Sequence, residues 1–202
     1  EIESYGSDYI QLMESVAQPA SDAVYNAISF EQAQRAAFTD PVTGLANLRA
    51  ITTQYEHERA RSERMGTSLS LLVIRVSDLS EAAGQNSSHV NQLIAEIGET
   101  IKSQIRETDL LARYSDTGFL ALLPDSGQNA AVEVRSRIRE ALRNLVSSRR
   151  ISISMGTAVS PQDGTRFDDL LQSAQIDCAA SYDSLADLTP LEFGDLATIR
   201  PS

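Results

Sequence analysis

Residues Arg113 to Pro124 read R-Y-S-D-T-G-F-L-A-L-L-P. Two short apolar runs, Leu110 to Tyr114 and Phe119 to Leu123, flank the breaker-rich S-D-T-G, which supplies the turn chemistry of a β-hairpin. Upstream, Val90, Leu93, Ile94, Ile97, Ile101 and Ile105 recur at helical spacing and mark the inner face of a helix. Before that helix, Leu69 to Val76 is a largely apolar run of strand length. Downstream, Asp125 or Ser126 is expected to cap a helix with Ala131, Val134, Ile138, Leu142 and Leu145 on its inner face. Ile151 to Val159 reads as a further strand and Phe167 to Tyr182 as a closing helix. The order β-α-β-β-α-β-α, with the two middle strands in a hairpin, predicts an α+β chain with a ferredoxin-like core and a mostly antiparallel sheet.

Asp8 to Phe38 lacks internal glycine and reads as one long helix. Ile10, Met13, Ala17, Ala20, Val24 and Ala27 form a thin, alanine-rich seam at spacings of three and four. Pro19 is expected to kink or interrupt it. The seam suits either packing on the chain's own domain or pairing of a signalling helix with a second chain. Thr39 to Asn47, T-D-P-V-T-G-L-A-N, is a breaker-rich turn, and a polar helix follows to about Met65. The expected division is a linker helix over 1–38, a domain over 39–184 and a tail over 185–202. No internal repeat or low-complexity segment interrupts it.

The chain has 202 residues with 42% hydrophobic content, enough for one well-cored domain plus an appendage. A net charge of −11 argues against nucleic acid as a partner. Sixteen of the seventeen basic residues are arginine, and Lys102 is the one lysine. Arginine suits forked recognition of phosphate or carboxylate. A single cysteine, Cys178, excludes an intrachain disulfide and fits a reducing cytoplasm. No apolar run approaches the ~18 residues of a membrane span, and no signal peptide is recognisable. The first residue is Glu1 rather than Met, so the expectation is a cytoplasmic piece of a larger or membrane-associated protein. His57 and His89 lack partners at zinc spacing, and Cys178 lacks a nearby base. No phosphate loop or dinucleotide fingerprint occurs, and no cofactor is expected.

The hairpin text resembles the signature of the GGDEF family, the diguanylate cyclases, R-Y-G-G-D-E-F-x-x-L-L-P. Ser115, Asp116, Thr117 and Gly118 stand where Gly, Gly, Asp and Glu would be. Thr39 to Asn47 is similar to the family's D-x-L-T-G-L-x-N-R, with Leu48 in place of the arginine, and Ile151 to Val159 resembles its V-S-I-G-V-A. The resemblance covers roughly Phe38 to Tyr182, and the N-terminal helix resembles the helix that joins a GAF sensor domain to such a domain. It implies bacterial second-messenger signalling.

In the family, two magnesium ions bridge the phosphates of GTP, held by carboxylate oxygens. The resemblance puts Arg75 and Gly118 at the two carboxylate positions. It puts Ala83 and Gln92 at the guanine-reading Asn and Asp, and Tyr182 at the phosphate-binding lysine of the closing helix. Asp78 and Asp116 are the nearest remaining acids and sit off the ligand positions. The resemblance therefore implies loss of cyclase chemistry.

It also implies a second site. Many cyclases bind their product, cyclic di-GMP, through R-x-x-D placed six residues before the signature. R-x-x-D occurs four times in this chain, and only Arg106 to Asp109 stands at that position. A further family arginine on the helix after the hairpin corresponds to Arg137, and one supplied by a neighbouring domain corresponds to Arg61, with Arg64 as runner-up. The expectation is a catalytically inactive receptor for cyclic di-GMP, working as a homodimer and signalling to a protein partner. The alternatives are a nucleotide-free dimerisation or docking module and an allosteric GTP-binding domain.

Overall fold

Strand β2 (Leu69–Ser77) explains the architecture: its residues are buried on both faces apart from Arg75 and Ser77 near its end. Such a strand must lie inside a sheet covered on both sides. In the computed structural model, which describes residues 2–79 and 87–186, it does. The elements run α1 (Ile2–Phe38), β1 (Ala46–Asn47), α2 (Leu48–Met65), β2, α3 (Ser87–Lys102), β3 (Leu110–Ser115), β4 (Gly118–Leu123), α4 (Gln128–Arg149), β5 (Ser152–Ser160) and α5 (Phe167–Ala186). The sheet order is β1-β3-β4-β2-β5, with β1 parallel to β3 and every other neighbouring pair antiparallel. The strands β2, β3, β4 and β5 with α3 and α4 make the ferredoxin-like α+β core that the hairpin predicts.

Strand side chains alternate between faces, so β2 feeds two cores. Leu72, Ile74 and Val76 pack with Ile94 and Ile97 of α3 and Ile138 of α4. Leu69, Leu71 and Val73 pack on the other face with Ile51 and Tyr55 of α2 and Leu170 of α5. Tyr55 is fully buried, donates to the Thr165 carbonyl at 2.9 Å and meets Phe167 edge-on; burial pushes its phenol up to about 12. Gly156 lets α5 lie directly on β5: a Cβ there would sit 2.7 Å from the Cys178 Cα and closer still to backbone atoms of Ala174 and Cys178.

Helical structure in α1 runs through Pro19, so of the expected kink or interruption there is no interruption. One local expectation changes. Helix α4 is capped by Gly127, with no side-chain cap bond, rather than by Asp125 or Ser126. Asp125 adopts φ 51 and pairs with Arg61, while the buried Ser126 hydroxyl donates to the Pro124 carbonyl at 3.0 Å. Both side chains are thus committed before the helix starts. The expected tail lies outside the described residues, apart from its first two residues at the end of α5.

The turn between α1 and α2 is tied to its surroundings at several points. Asn47 accepts from the Ala50 amide at 3.0 Å to cap α2, and donates to the Ala37 carbonyl at 3.0 Å in the last turn of α1. Thr39 bridges Ala46, and the Arg49 guanidinium lies 5.3 Å from the Phe38 ring centroid.

Candidate functional site

After α3 the chain turns tightly into β3, and Arg106 to Asp109 form that turn. The Arg106 amide donates to Asp109 Oδ2 at 2.8 Å, and the Asp109 amide donates to the Arg106 carbonyl at 3.0 Å. Mutual backbone bonding fixes the carboxylate in place and leaves the Arg106 side chain exposed. The second oxygen, Asp109 Oδ1, is buried without a hydrogen-bond partner. Burial pushes the Asp109 carboxyl above the usual carboxylate range, and the Arg106 amide with the Arg106 and Arg137 charges offsets only part of that rise. A buried acceptor without a donor is costly in a folded protein and calls for an explanation.

Arg137 comes from α4 to the segment just before that turn, its Nε donating to the Gln104 carbonyl at 2.7 Å, and its charge acts on Asp109. The structure therefore gathers three of the four sequence-predicted residues: Arg106, Asp109 and Arg137. Arg61 is not among them. It sits on α2, across the sheet, paired with Glu58 at 2.9 Å and with Asp125.

Beside Asp109 lies a cleft of about 280 Å³, walled by Gly44 to Ala46 on one side and by Arg106, Asp109 and Leu110 on the other. Lys102 and Ile105, at the end of α3 and just beyond it, complete it. Sequence reasoning did not assign the Gly44 to Ala46 wall to this site. The pairing of Ala46 with Ala112 in β3 brings it there.

At the other end of the hairpin, Arg75 of β2 pairs in register with Gly118 of β4. These two positions, where the resemblance puts metal ligands, do face each other across one strand pair. A magnesium ion needs oxygen ligands at about 2.1 Å, and a guanidinium and a glycine offer no side-chain oxygen. These residues do not fit the ion. Asp78 and Asp116 are exposed, and among the described residues no group of three His, Cys, Asp or Glu could hold a metal. A Cβ at Gly118 would meet Ser115 Oγ at 2.5 Å and Tyr114 Cζ at 2.9 Å, so the Tyr114 ring lies over this position. Gln92 is exposed on α3, and Ala83 lies outside the described residues.

One ion pair at the hairpin was not legible in the sequence. Arg113 Nη1 contacts both Asp40 oxygens at 3.1 Å, and Nη2 donates to the Asp116 carbonyl at 3.0 Å. Asp40 also accepts from the Thr43 amide at 2.9 Å and hydroxyl at 2.8 Å. Burial raises its carboxyl, but the bonds from Thr43 and Arg113 outweigh that and hold it below its usual range. The hairpin is thereby fastened to the turn that carries α1. His57 and His89 are both exposed, and Cys178 is buried against Ser154 at 3.2 Å.

Comparison with known proteins places this geometry. Residues 37–183 match the family model for "Diguanylate cyclase, GGDEF domain". Diguanylate cyclase DgcP of Pseudomonas aeruginosa is 30% identical over 133 residues, which is 65% of this chain and 20% of DgcP. The chain spans between 20% and 32% of the length of the curated relatives it matches. Among solved structures, the coiled coil and GGDEF domain of DgcB from Caulobacter crescentus, in complex with c-di-GMP, has a TM-score of 0.71 at 23% identity, covering 86% of this chain and 95% of that one. Diguanylate cyclase SiaD of Pseudomonas aeruginosa, in complex with its activator SiaC, has a TM-score of 0.67 at 23% identity, covering 91% of this chain and 73% of that one. The same fold and a family match over most of the chain lead to one conclusion: this chain belongs to the GGDEF family of diguanylate cyclase domains.

Proposed function

We propose that the domain is a catalytically inactive GGDEF-type receptor for cyclic di-GMP. The observation that carries this reading is Asp109 Oδ1, a buried acceptor with no donor, held on one turn with Arg106 and approached by Arg137. A guanine edge offers two adjacent N–H donors that a carboxylate can accept, and a guanidinium can fork onto a phosphate. The DgcB structure contains c-di-GMP, which supports carrying that ligand class over to this chain. Arg61 would serve from a second subunit, where a ligand phosphate would compete with Asp125 and Glu58 for its guanidinium. Two subunits joined in this way would form a homodimer and change the orientation of their α1 helices, the signal a protein partner would receive.

Inactivity rests on Arg75 facing Gly118. A nucleotide-free interaction module is the second reading, favoured by Val24, Tyr25, Ile28 and Phe30, which α1 leaves exposed. GTP is the weakest ligand candidate, because its metal and phosphate anchors are replaced.

Thermal unfolding separates these readings. A ligand at 100 times its Kd stabilises by about 2.7 kcal/mol, and each kcal/mol moves Tm by roughly 2–4 °C at this chain length. Cyclic di-GMP should raise Tm by about 5–11 °C, while GTP with Mg²⁺ leaves it unchanged and yields no cyclic dinucleotide. A shift with GTP alone, or turnover, would refute the reading.

A further inference from the structure

The cleft next to Asp109 is more than a gap beside a turn. Its volume of about 280 Å³ is small, since sites that enclose a whole drug-sized ligand run roughly 300–1,000 Å³. It suits one flat base of a larger ligand. The wall at Gly44 is bare: nothing lies within 4 Å of where a Cβ would project, and its φ of +68 keeps side chains away. Leu45, Ile105 and Leu110 give apolar surface, and Asp109 Oδ1 stands buried beside them without a donor. Lys102 and Arg106, both exposed, put two cations at the cleft, whose rim also carries the exposed Glu107.

The bare wall is also the anchor of α1. The Gly44 amide donates to the Asp40 carbonyl and the Asp40 amide to the Leu45 carbonyl, each at 2.8 Å. Ala46 pairs with Ala112 of β3 and bridges Thr39, the residue after α1. Asn47 holds the Ala37 carbonyl. A group filling the cleft must therefore touch the segment from which α1 departs.

We infer that one purine of a bound cyclic dinucleotide inserts between the Arg106–Asp109 turn and the Gly44–Ala46 strip, with Lys102 as an added phosphate-contacting cation. Occupancy is then sensed at the base of α1 within a single subunit, before any second subunit is engaged. This rests on the receptor reading above and adds a second wall, a further binding residue and a route to the helix.

Hydrogen exchange of the full chain, with and without cyclic di-GMP, tests it. Amides in 40–47 should slow on ligand addition, whereas those of Thr157 and Val159 at the far edge of the sheet stay unchanged. Lys102→Gln should weaken binding about tenfold, the lower end for one charge-assisted bond, without moving the Tm of the free protein. Protection confined to 104–110, or unaltered affinity in Lys102→Gln, would overturn this inference and leave the receptor reading standing. Absence of any calorimetric binding would overturn both.

Discussion

Asp109→Asn separates binding from stability, because the carboxylate is poorly satisfied in the free protein. Its Oδ2 accepts one backbone bond at 2.8 Å, and its Oδ1 has no partner. An asparagine keeps an oxygen for the Arg106 amide and removes the charge. An unsatisfied buried group costs roughly 1–3 kcal/mol, more when charged. The exchange of a buried anion for a neutral amide should therefore change stability by about 0 to +1 kcal/mol in favour of folding. The sign agrees with the carboxyl's upward shift. Stability from such a group is fully present below its unfolded value and is lost as pH rises through the raised folded value, so at neutral pH ionised Asp109 subtracts stability. Tm at pH 7 should stay level or rise by up to about 4 °C. Binding should behave oppositely. Loss of the Oδ1 acceptor for a guanine edge costs about 1.5–3 kcal/mol, roughly 10- to 150-fold in Kd. Circular dichroism melts and calorimetric titration of the same preparation measure both. A Tm lowered by more than about 4 °C with affinity unchanged would show Asp109 to be a turn-forming residue only.

Two further substitutions probe the frame. Asp40→Asn breaks an ion pair whose side chains are only 16% and 9% exposed, and should cost about 3 kcal/mol, or roughly 6–12 °C in Tm. Because the Asp40 carboxyl is held low, its stabilisation exists above the unfolded value near 3.8 and fades as pH falls through the lower folded value, so wild-type and mutant melts should converge in acid. Gly156→Ala forces α5 off β5, since the obstructing atoms are backbone, and should cost about 3 kcal/mol by overpacking. Unchanged melting in denaturant or heat would mean that α5 can slide.

The core was legible because its signals are local. β2 and the hairpin strands are rich in apolar residues over strand length, and α3 carries a full apolar face, so each element identifies itself within ten or twenty residues. The Arg106–Asp109 turn was found by position within a recognised motif order. What the sequence hid depends on tertiary pairing. β1 is only Ala46–Asn47, inside a turn whose composition argues against a strand; it exists because β3 offers an edge. The Arg113–Asp40 pair spans 73 residues, and no spacing rule reaches that far. The capping expectation failed at Asp125 for the same reason: Arg61, 64 residues away, had already taken the carboxylate. The cleft wall at Gly44 follows from the β1–β3 pairing and was equally out of reach.

Receipt of a cyclic dinucleotide through the Arg106–Asp109 turn is decided by isothermal titration of the chain with cyclic di-GMP, with Arg106→Ala alongside. The wild type should bind at micromolar Kd or tighter, with a stoichiometry that distinguishes one ligand from a stacked pair, and the heat should vanish in a mutant that melts like the wild type. No heat with either protein at saturating ligand, or equal binding by both, would rule the receptor role out.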